Sequence, residues 1–458
     1  MLPQKFTERM RDMLGAEYEA FMEGFSKEKY QALRINPQKA DPDFVSKSRF
    51  HLEQIAWEPN GYRYEAQDQP GKHPYHEAGL YYIQEPSAMA PVHYLDVQPG
   101  DKVLDLCAAP GGKSTQIAAA LAGRGILVSN EINAARARIL SLNMERMGVR
   151  NAMVTNESPE RLSHFFEAYF DRILIDAPCS GEGMFRKNEE ACQEWSPENV
   201  LMCAERQKGI MDCAAGMLAP GGRMVYSTCT FAPEEDEGSI SSFLHRHTDF
   251  HIVRVNHYPG MADGHPEWIS DPAIGVEDTL RLWPHLLKGE GHFLAVLERE
   301  GELRQRGNCS YCPNGLQKGI REKDCKPWLA FRSAFLQKVP EGNLFLFGEQ
   351  LYLAPEGMPS TDHLKVLRPG LHLGTLKKDR FEPSHALALT LKPFDVTYSM
   401  NLASDGSEIK AFLNGQTLQG TENAGWHMIT VDGYSIGWGK CAGKIMKNHY
   451  PKGLRISF

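Results

Sequence analysis

From Lys102 to Arg299 the sequence alternates short apolar runs with helical segments, and no other feature restricts its fold as much. VLDLCAA (103–109) precedes a helical stretch from Lys113, ILVSNE (126–131) one from Asn133, and AMVTN (152–156) one from Ser158. RILIDA (172–177) leads through a loop to a long helical stretch ending near Leu218, and RMVYSTC (223–229) leads to an acidic helix start at Pro233. Strands joined in this way require right-handed crossovers and a mostly parallel sheet covered on both faces. The expected class is therefore α/β, with an open, doubly wound core. HIVRV (251–255) and HFLAVLER (292–299) have no clear helix between them and predict a hairpin-like pair closing one sheet edge.

The flanks follow other patterns. Phe6, Met10, Met13, Leu14, Tyr18 and Phe21 recur at spacings of three and four, which predicts helical structure over residues 1 to about 60. ELRQRGNCSYCPNG (302–315) reads as a linker, and short strands with Gly and Pro turns follow from about residue 320, as in NLFLFGEQLYLAPEG and HMITVDGYSIGWGK. These shifts divide the chain into 1–95, a core over 96–300, a small intermediate unit over 301–385 and a β-rich unit over 386–458.

Composition narrows the functional classes. A hydrophobic content of 42% and a charged content of 24% are those of a globular protein. MLPQKFTERMRDML has no apolar run behind a basic end, and no stretch approaches the roughly 18 apolar residues a membrane span needs, so a cytoplasmic protein without a membrane partner is expected. Ten cysteines in 458 residues are too few for a disulfide scaffold. The net charge of -8 argues against an unselective polyanion binder, yet residues 361–458 carry 12 Lys+Arg and 8 Asp+Glu, a local excess of four positive charges. Five basic residues and no acid lie between Trp438 and Arg455, a pattern equally suited to a solvated face and to phosphate contact.

VLDLCAAPGGKST (103–115) has the form strand, tight turn, helix. Gly111 and Gly112 allow close backbone approach, and the following helix offers unpaired N–H groups to an anionic group. The turn is neither G-x-G-x-x-G nor G-x-x-x-x-G-K-[ST], which disfavours nucleotide phosphates and with them a nicotinamide-dependent oxidoreductase. Glu131 ends the second strand, where an acid in such folds binds ribose hydroxyls. Adenosine plus a carboxylate, without pyrophosphate, describes S-adenosylmethionine.

Cys179 and Cys229 follow the fourth and fifth strands, where ligands of an open sheet bind. A disulfide, a metal pair, buried filler and paired catalytic thiols are the possible readings. Reducing surroundings disfavour the first, and neither cysteine has a neighbouring Cys or His at metal-ligand spacing. Pyrimidine chemistry would use both thiols: a thiolate added to carbon 6 of cytosine makes carbon 5 nucleophilic, and a second group can assist release. Cys309, Cys312 and Cys325 form C-x2-C-x12-C, which begins like a zinc site but lacks a fourth ligand at suitable spacing; His292 or a distant residue would have to complete it, and reduced surface thiols are the favoured reading.

LDLCAAPGGKS, VSNE, DAPCSGEGMFRK and YSTCTFAPEEDE closely resemble, in order, the motifs of the Sun-type family of RNA 5-methylcytosine methyltransferases. YYIQEPSAM (81–89) and LRINPQK (33–39) resemble its N-terminal motifs, and LRPGLHLGTLKKDRFEPSHAL and KNHYPKGLR are similar to the tail of the bacterial RsmF-type 16S rRNA enzymes. The resemblance covers nearly the whole chain, with 301–360 its least distinctive part. It implies a class I S-adenosylmethionine-dependent core, an N-terminal RNA-binding domain and a C-terminal PUA-like RNA-binding unit.

By the same resemblance Cys229 is the nucleophile, Cys179 promotes release, Asp176 bonds the amine and ring nitrogen of cytosine, and Lys113 lies near the base or the methionine carboxylate. Cys107, Ala108, Ala109, Pro110, Gly111, Gly112, Lys113, Asp105, Glu131, Arg136, Asn156 and Asp176 match positions around the cofactor, with Asn156 replacing an acid often found near adenine. Arg186 and Lys187, after the thiol loop, are candidates for holding phosphates, with Arg34 and Asn36 in the same cleft. Lys447, Lys452 and Arg455, interleaved with Trp438, His449 and Tyr450, suit backbone contact and base stacking. The expected partner is RNA, in 16S rRNA or the small ribosomal subunit, without DNA, bound by a monomer. A transfer RNA methyltransferase and a non-catalytic ribosome assembly factor are the alternatives.

Overall fold

The computed structural model describes residues 2–26, 29–187, 189–303 and 311–456. Its centre is a ten-stranded sheet. Four parallel pairings join β5 (Lys102–Asp105), β6 (Ile126–Asn130), β7 (Ala152–Thr155), β8 (Phe170–Asp176) and β9 (Leu218–Thr228), in the order β9-β8-β5-β6-β7. All residues of β5, β6 and β7 are buried, as covering a parallel sheet on both faces demands. The crossovers include α3 (Gly112–Leu121), α4 (Ala134–Arg146) and α5 (Pro197–Met217). Side-chain oxygens mark helix starts: Asn133 accepts from the N–H groups of Ala135 and Arg136, and Ser196 from that of Asn199.

After α6 (Glu237–Arg246) the sheet turns antiparallel. β13 (His292–Arg299) pairs with β9, and β10 (Phe250–Ile252) pairs with the far end of β13, which is the edge pair expected from sequence. Two strands lie between them that the sequence reading did not resolve. β11 (Met261–Asp263) and β12 (Leu280–Leu282) extend the edge in the order β11-β12-β13.

The N-terminal flank has its longer helices at its start, in α1 (Gln4–Leu14) and α2 (Tyr18–Ser26), and beyond them, among the described residues of the first 60, only a single helical turn at Phe44–Lys47. The expectation of helix to about residue 60 fails beyond Ser26. β1 (Ala32–Ile35), β2 (Glu53–Ile55) and β3 (Glu58–Arg63) join β4 (Tyr81–Ile83) in a four-stranded sheet, because ALRI is buried along its whole length. The apolar face of α1 and α2 packs through Phe6, Met10 and Phe21 against Phe185, Trp195 and Phe231, the loops that carry the two cysteines.

Beyond residue 311 lie α7 (Lys326–Phe335), β14 (Asn343–Phe347), β15 (Gln350–Ala354), β16 (Val366–Pro369), β17 (Leu371–Leu376), β18 (Phe381–Pro383) and α8 (His385–Thr390). β14-β15-β17-β18 form one sheet, while β16 crosses to the edge of the central sheet and pairs with β7. β19 (Ser399–Leu402), α9 (Ser407–Asn414), β20 (Leu418–Gln419), β21 (Gly425–Val431), β22 (Tyr434–Ala442) and β23 (Ile445–Asn448) complete a terminal β-rich unit, its sheet ordered β19-β21-β22-β23-β20. Among the described residues no helix is long and apolar enough to cross a membrane.

Candidate active site

The carboxyl ends of four strands converge on one hollow: β5 ends at Asp105, Glu131 follows β6, β8 ends at Asp176, and Cys229 follows β9. β8 and β9 are neighbours in parallel register, with Asp176 opposite Ser227. That register brings the Cys179 and Cys229 sulfurs to 3.4 Å, in hydrogen-bond contact. The bond to Cys229 and then burial push the Cys179 thiol well above its ordinary range. Cys179 therefore keeps its proton, and either sulfur of the pair can donate to the other.

Asp176 lies at the centre of the charges. Its Oδ2 is 2.7 Å from the Lys113 ammonium, and its Oδ1 accepts from the Ser227 hydroxyl at 2.9 Å. His292, at the start of β13, places Nε2 3.6 Å from the same Oδ1. Burial alone would raise the Asp176 pKa, but Lys113 and His292 outweigh it and hold the carboxyl far below the usual range. Asp176 is thus an ionised acceptor. Ser227, inside YSTCT, did not stand out in the sequence, and His292, which opens an apolar strand, entered it only as a distant fourth ligand for the linker cysteines rather than as a partner of Asp176.

The turn 107–112 enters α3 as expected, with a different reason for its glycines. Gly111 has φ +116, and a Cβ there would meet Leu140 Cδ1 at 3.2 Å; one on Gly112 would meet the Tyr82 ring at 3.2 Å. Both missing side chains thus face protein, letting α3 nestle between α4 and the N-terminal sheet. Ala108 N–H donates to Asn130 O, Arg136 donates to Ala109 O, and burial pushes the Cys107 thiol well up. Pro110 O accepts from the Asn143 amide.

The acids around this turn form an open-handed set. Asp105 Oδ2 accepts from Ser114 at 2.6 Å, while its buried Oδ1 has no partner. Burial raises the Asp105 carboxyl to about 7. Glu131 accepts from Asn133 N–H and pairs with Arg136 at 3.5 Å. The Asn156 amide donates to Glu131 O and Ile132 O, so its N–H groups brace the loop after β6. Asp105, Glu131 and Asp176 thus put acid groups at three adjacent strand ends, a set that offers acceptors to a hydroxyl-bearing, cationic ligand.

Two buried acids lace the thiol loops together. Glu182 accepts from Arg9 on α1, from Trp195 Nε1 at 2.8 Å and from Phe231 N–H at 3.1 Å. Glu235 accepts from Ser180 N–H and from Gln207, and burial raises its carboxyl to about 7. Gly183 N–H donates to Cys229 O at 2.8 Å. The sequence signal for both acids was their place inside the two thiol motifs, where acidic residues otherwise read as solvated.

Several candidate RNA contacts are corrected. Arg34 is buried and clamps the first turn of α3, donating to Gly112 O, Thr115 Oγ1 and Gln84 Oε1. Asn36 is buried between Gly79 O and Met147 O. Arg186 has a side chain only 3% exposed and pairs with buried Glu290, so it does not face solvent; Lys187, on the same acid, is partly open. Trp438 and Tyr450 are also buried, bonding Ser384 O and Glu77, and cannot stack on a base. Lys440, Lys444, Lys447, Lys452 and Arg455 remain exposed, with His449 beside them. Of the three linker cysteines, Cys309 lies outside the described residues, Cys312 is half-buried, and Cys325 is buried rather than on the surface.

Four family models match successive parts of the chain. They are the N-terminal domain of 16S rRNA methyltransferase RsmF (2–86), 16S rRNA methyltransferase RsmB/F (92–298), the RsmF rRNA methyltransferase first C-terminal domain (330–391) and the methyltransferase RsmF PUA domain (400–456). Ribosomal RNA small subunit methyltransferase F of Aeromonas hydrophila is 31% identical over 443 residues, covering 93% of this chain and 90% of that relative. The protein of the same name from Vibrio vulnificus is 30% identical over 467 residues, covering 99% and 97%. Among solved structures, a methyltransferase homolog protein from Pyrococcus horikoshii is 26% identical, with a TM-score of 0.57, over 65% of this chain and 95% of that one.

Proposed function

The chain belongs to the ribosomal RNA small subunit methyltransferase F family, and from that premise we propose that it methylates carbon 5 of a cytosine in 16S rRNA through a covalent adduct of Cys229. The observation that carries the reading is the thiol pair, 3.4 Å apart, beside an ionised Asp176. The unpartnered Asp105 oxygen, Glu131 and the first turn of α3 would hold S-adenosylmethionine, which supplies an electrophilic methyl group. The carboxylates suit its sulfonium and ribose hydroxyls, and the helix start suits its carboxylate.

A cytosine in folded RNA must leave its stack to reach this hollow. Asp176 accepts from the exocyclic amine and is kept in place by Lys113 and Ser227. Cys229, as the thiolate, adds to carbon 6; the ring π electrons shift toward nitrogen 3, and carbon 5 becomes enamine-like. Transfer of the methyl group to carbon 5 would break the donor's sulfur–methyl bond and leave a neutral thioether; carbon 5 then loses its proton to solvent water, the electron pair restores the ring double bond, and the carbon 6–sulfur bond breaks. The leaving thiolate then accepts a hydrogen bond from Cys179, whose retained proton suits it to that task. The exposed C-terminal lysines would hold phosphates, in a monomer acting where ribosomes assemble, the cytoplasm.

Transfer of label from methyl-tritiated S-adenosylmethionine tests the reading, with a 16S rRNA transcript, small subunits from a strain lacking the protein, and a transfer RNA transcript as acceptors. Label at cytosine carbon 5 of 16S rRNA is expected. Cys229→Ala should abolish transfer while S-adenosylmethionine binds with unchanged affinity by calorimetry. Label in transfer RNA alone would overturn the substrate, and near-normal turnover of Cys229→Ala would overturn the nucleophile.

A further inference from the structure

Ring nitrogen 3 needs a proton as Cys229 adds, and Asp176 has none to give. The displaced π pair makes that nitrogen basic, and an anionic adduct beside a carboxylate would be strongly disfavoured. Lys113 is committed to Asp176 Oδ2 at 2.7 Å. The Ser227 hydroxyl already donates its one hydrogen to Asp176 Oδ1 at 2.9 Å, which leaves His292, 5% exposed, with Nδ1 3.2 Å from Gly291 O. A carbonyl only accepts, so Nδ1 carries a hydrogen. The buried Nε2 has no hydrogen-bond partner and faces Asp176 Oδ1 at 3.6 Å. A bare lone pair there would oppose a carboxylate oxygen, whereas an N–H is attracted to it.

We propose that His292 is a positioning residue that holds at Nε2 the proton taken up by cytosine nitrogen 3, with Asp176 as its carrier. The inference rests on the cytosine reading above. As the sulfur–carbon 6 bond forms and the π pair moves to nitrogen 3, the proton passes from Nε2 through the Asp176 carboxylate to that nitrogen. When carbon 5 has lost its proton and the thiolate departs, the nitrogen 3 proton returns by the same route. His292 and Asp176 thus end the cycle as they began it, and no further reactant is consumed.

The test compares wild type, His292→Gln and His292→Gly in single-turnover methylation of the 16S rRNA substrate that wild type labels, with RNA and S-adenosylmethionine saturating. Glutamine keeps a donor without a transferable proton, and general acid catalysis is commonly worth about 10²-fold or more. A fall in rate of about 100-fold is therefore expected in both variants, with cofactor affinity by calorimetry within about twofold of wild type. Added imidazole should restore His292→Gly at least tenfold and leave His292→Gln unchanged, which a purely structural role would not produce. A His292→Gln rate within threefold of wild type, a matching loss of cofactor affinity, or absent imidazole rescue would each overturn the inference. If wild type itself places no methyl on cytosine carbon 5, the underlying reading fails instead.

Discussion

Adding one methyl group at Gly183 should slow the enzyme more than it unfolds it. A Cβ there would lie 2.9 Å from Cys229 O and 3.4 Å from Glu290 O and Gly291 O, closer to the first than carbon and oxygen tolerate. The Cys229 carbonyl must retreat by about 0.4 Å, weakening the 2.8 Å bond it receives from Gly183 N–H. Overpacking of this kind costs about 1–3 kcal/mol. Because a displacement of about 1 Å at a reacting group costs about 10²-fold in rate, a shift of about 0.4 Å predicts about a tenfold loss in Gly183→Ala. Gly181→Ala is the control: φ is +74 and a Cβ meets nothing within 4 Å. It should lose about 1–2 kcal/mol to left-handed strain and keep the wild-type rate. Single-turnover rates measured well below both melting temperatures separate the two effects. Equal rates for the two variants, or a Gly183→Ala rate equal to wild type, would refute the claim that this loop sets the position of Cys229.

Cys179→Ala removes the hydrogen-bond donor to the departing sulfur and should accumulate a protein–RNA adduct, read as a denaturation-resistant gel shift; normal turnover with no adduct would remove Cys179 from the release step. Stability should fall as pH rises from about 4.5 to 7, because buried Glu235, raised to about 7, keeps its proton in the folded state after the unfolded chain has released it. Asp105 acts in the same direction. Thermal melts across that range should show a shallower decline in Glu235→Gln, and an unchanged slope would contradict the assignment.

The core was legible because its signals are local. Apolar runs fully buried in β5, β6 and β7, with Asn133 and Ser196 capping helices that follow, announce strand and helix in consecutive residues. β11 and β12 span three residues each and are recognised only by the partners they meet, Leu282 opposite Met261 and His292 opposite Leu282. β16 pairs with β7 across more than two hundred residues of sequence, a long-range contact with no periodicity of its own. In the N-terminal flank, helical spacing of large apolar residues ran out at Ser26, and the strands beyond it are short and irregular enough to escape a period-two pattern.

The thiols and the acids at the strand ends were readable from the topology of open sheets, whose ligands gather at the carboxyl edge. Arg34 was not, because an arginine in a motif reads as a surface cation until its acceptors, Gly112 O and Thr115 Oγ1, are seen 78 and 81 residues away. His292 was legible only as a distant metal-ligand candidate, since its place beside Asp176 depends on a carboxylate from another strand. The distribution of charge follows from the same geometry. With Asp105, Glu131 and Asp176 at the hollow and the buried acids Glu182 and Glu235 behind it, this end of the sheet gives a polyphosphate little long-range attraction. On the proposed reading, capture of RNA then falls to the exposed basic residues between Lys440 and Arg455, within the segment that carries four excess positive charges in a chain of net charge -8. On that same reading the acidic end would meet only a base already withdrawn from its stack, and would select for amine and ring nitrogen without competing for every phosphate of the RNA.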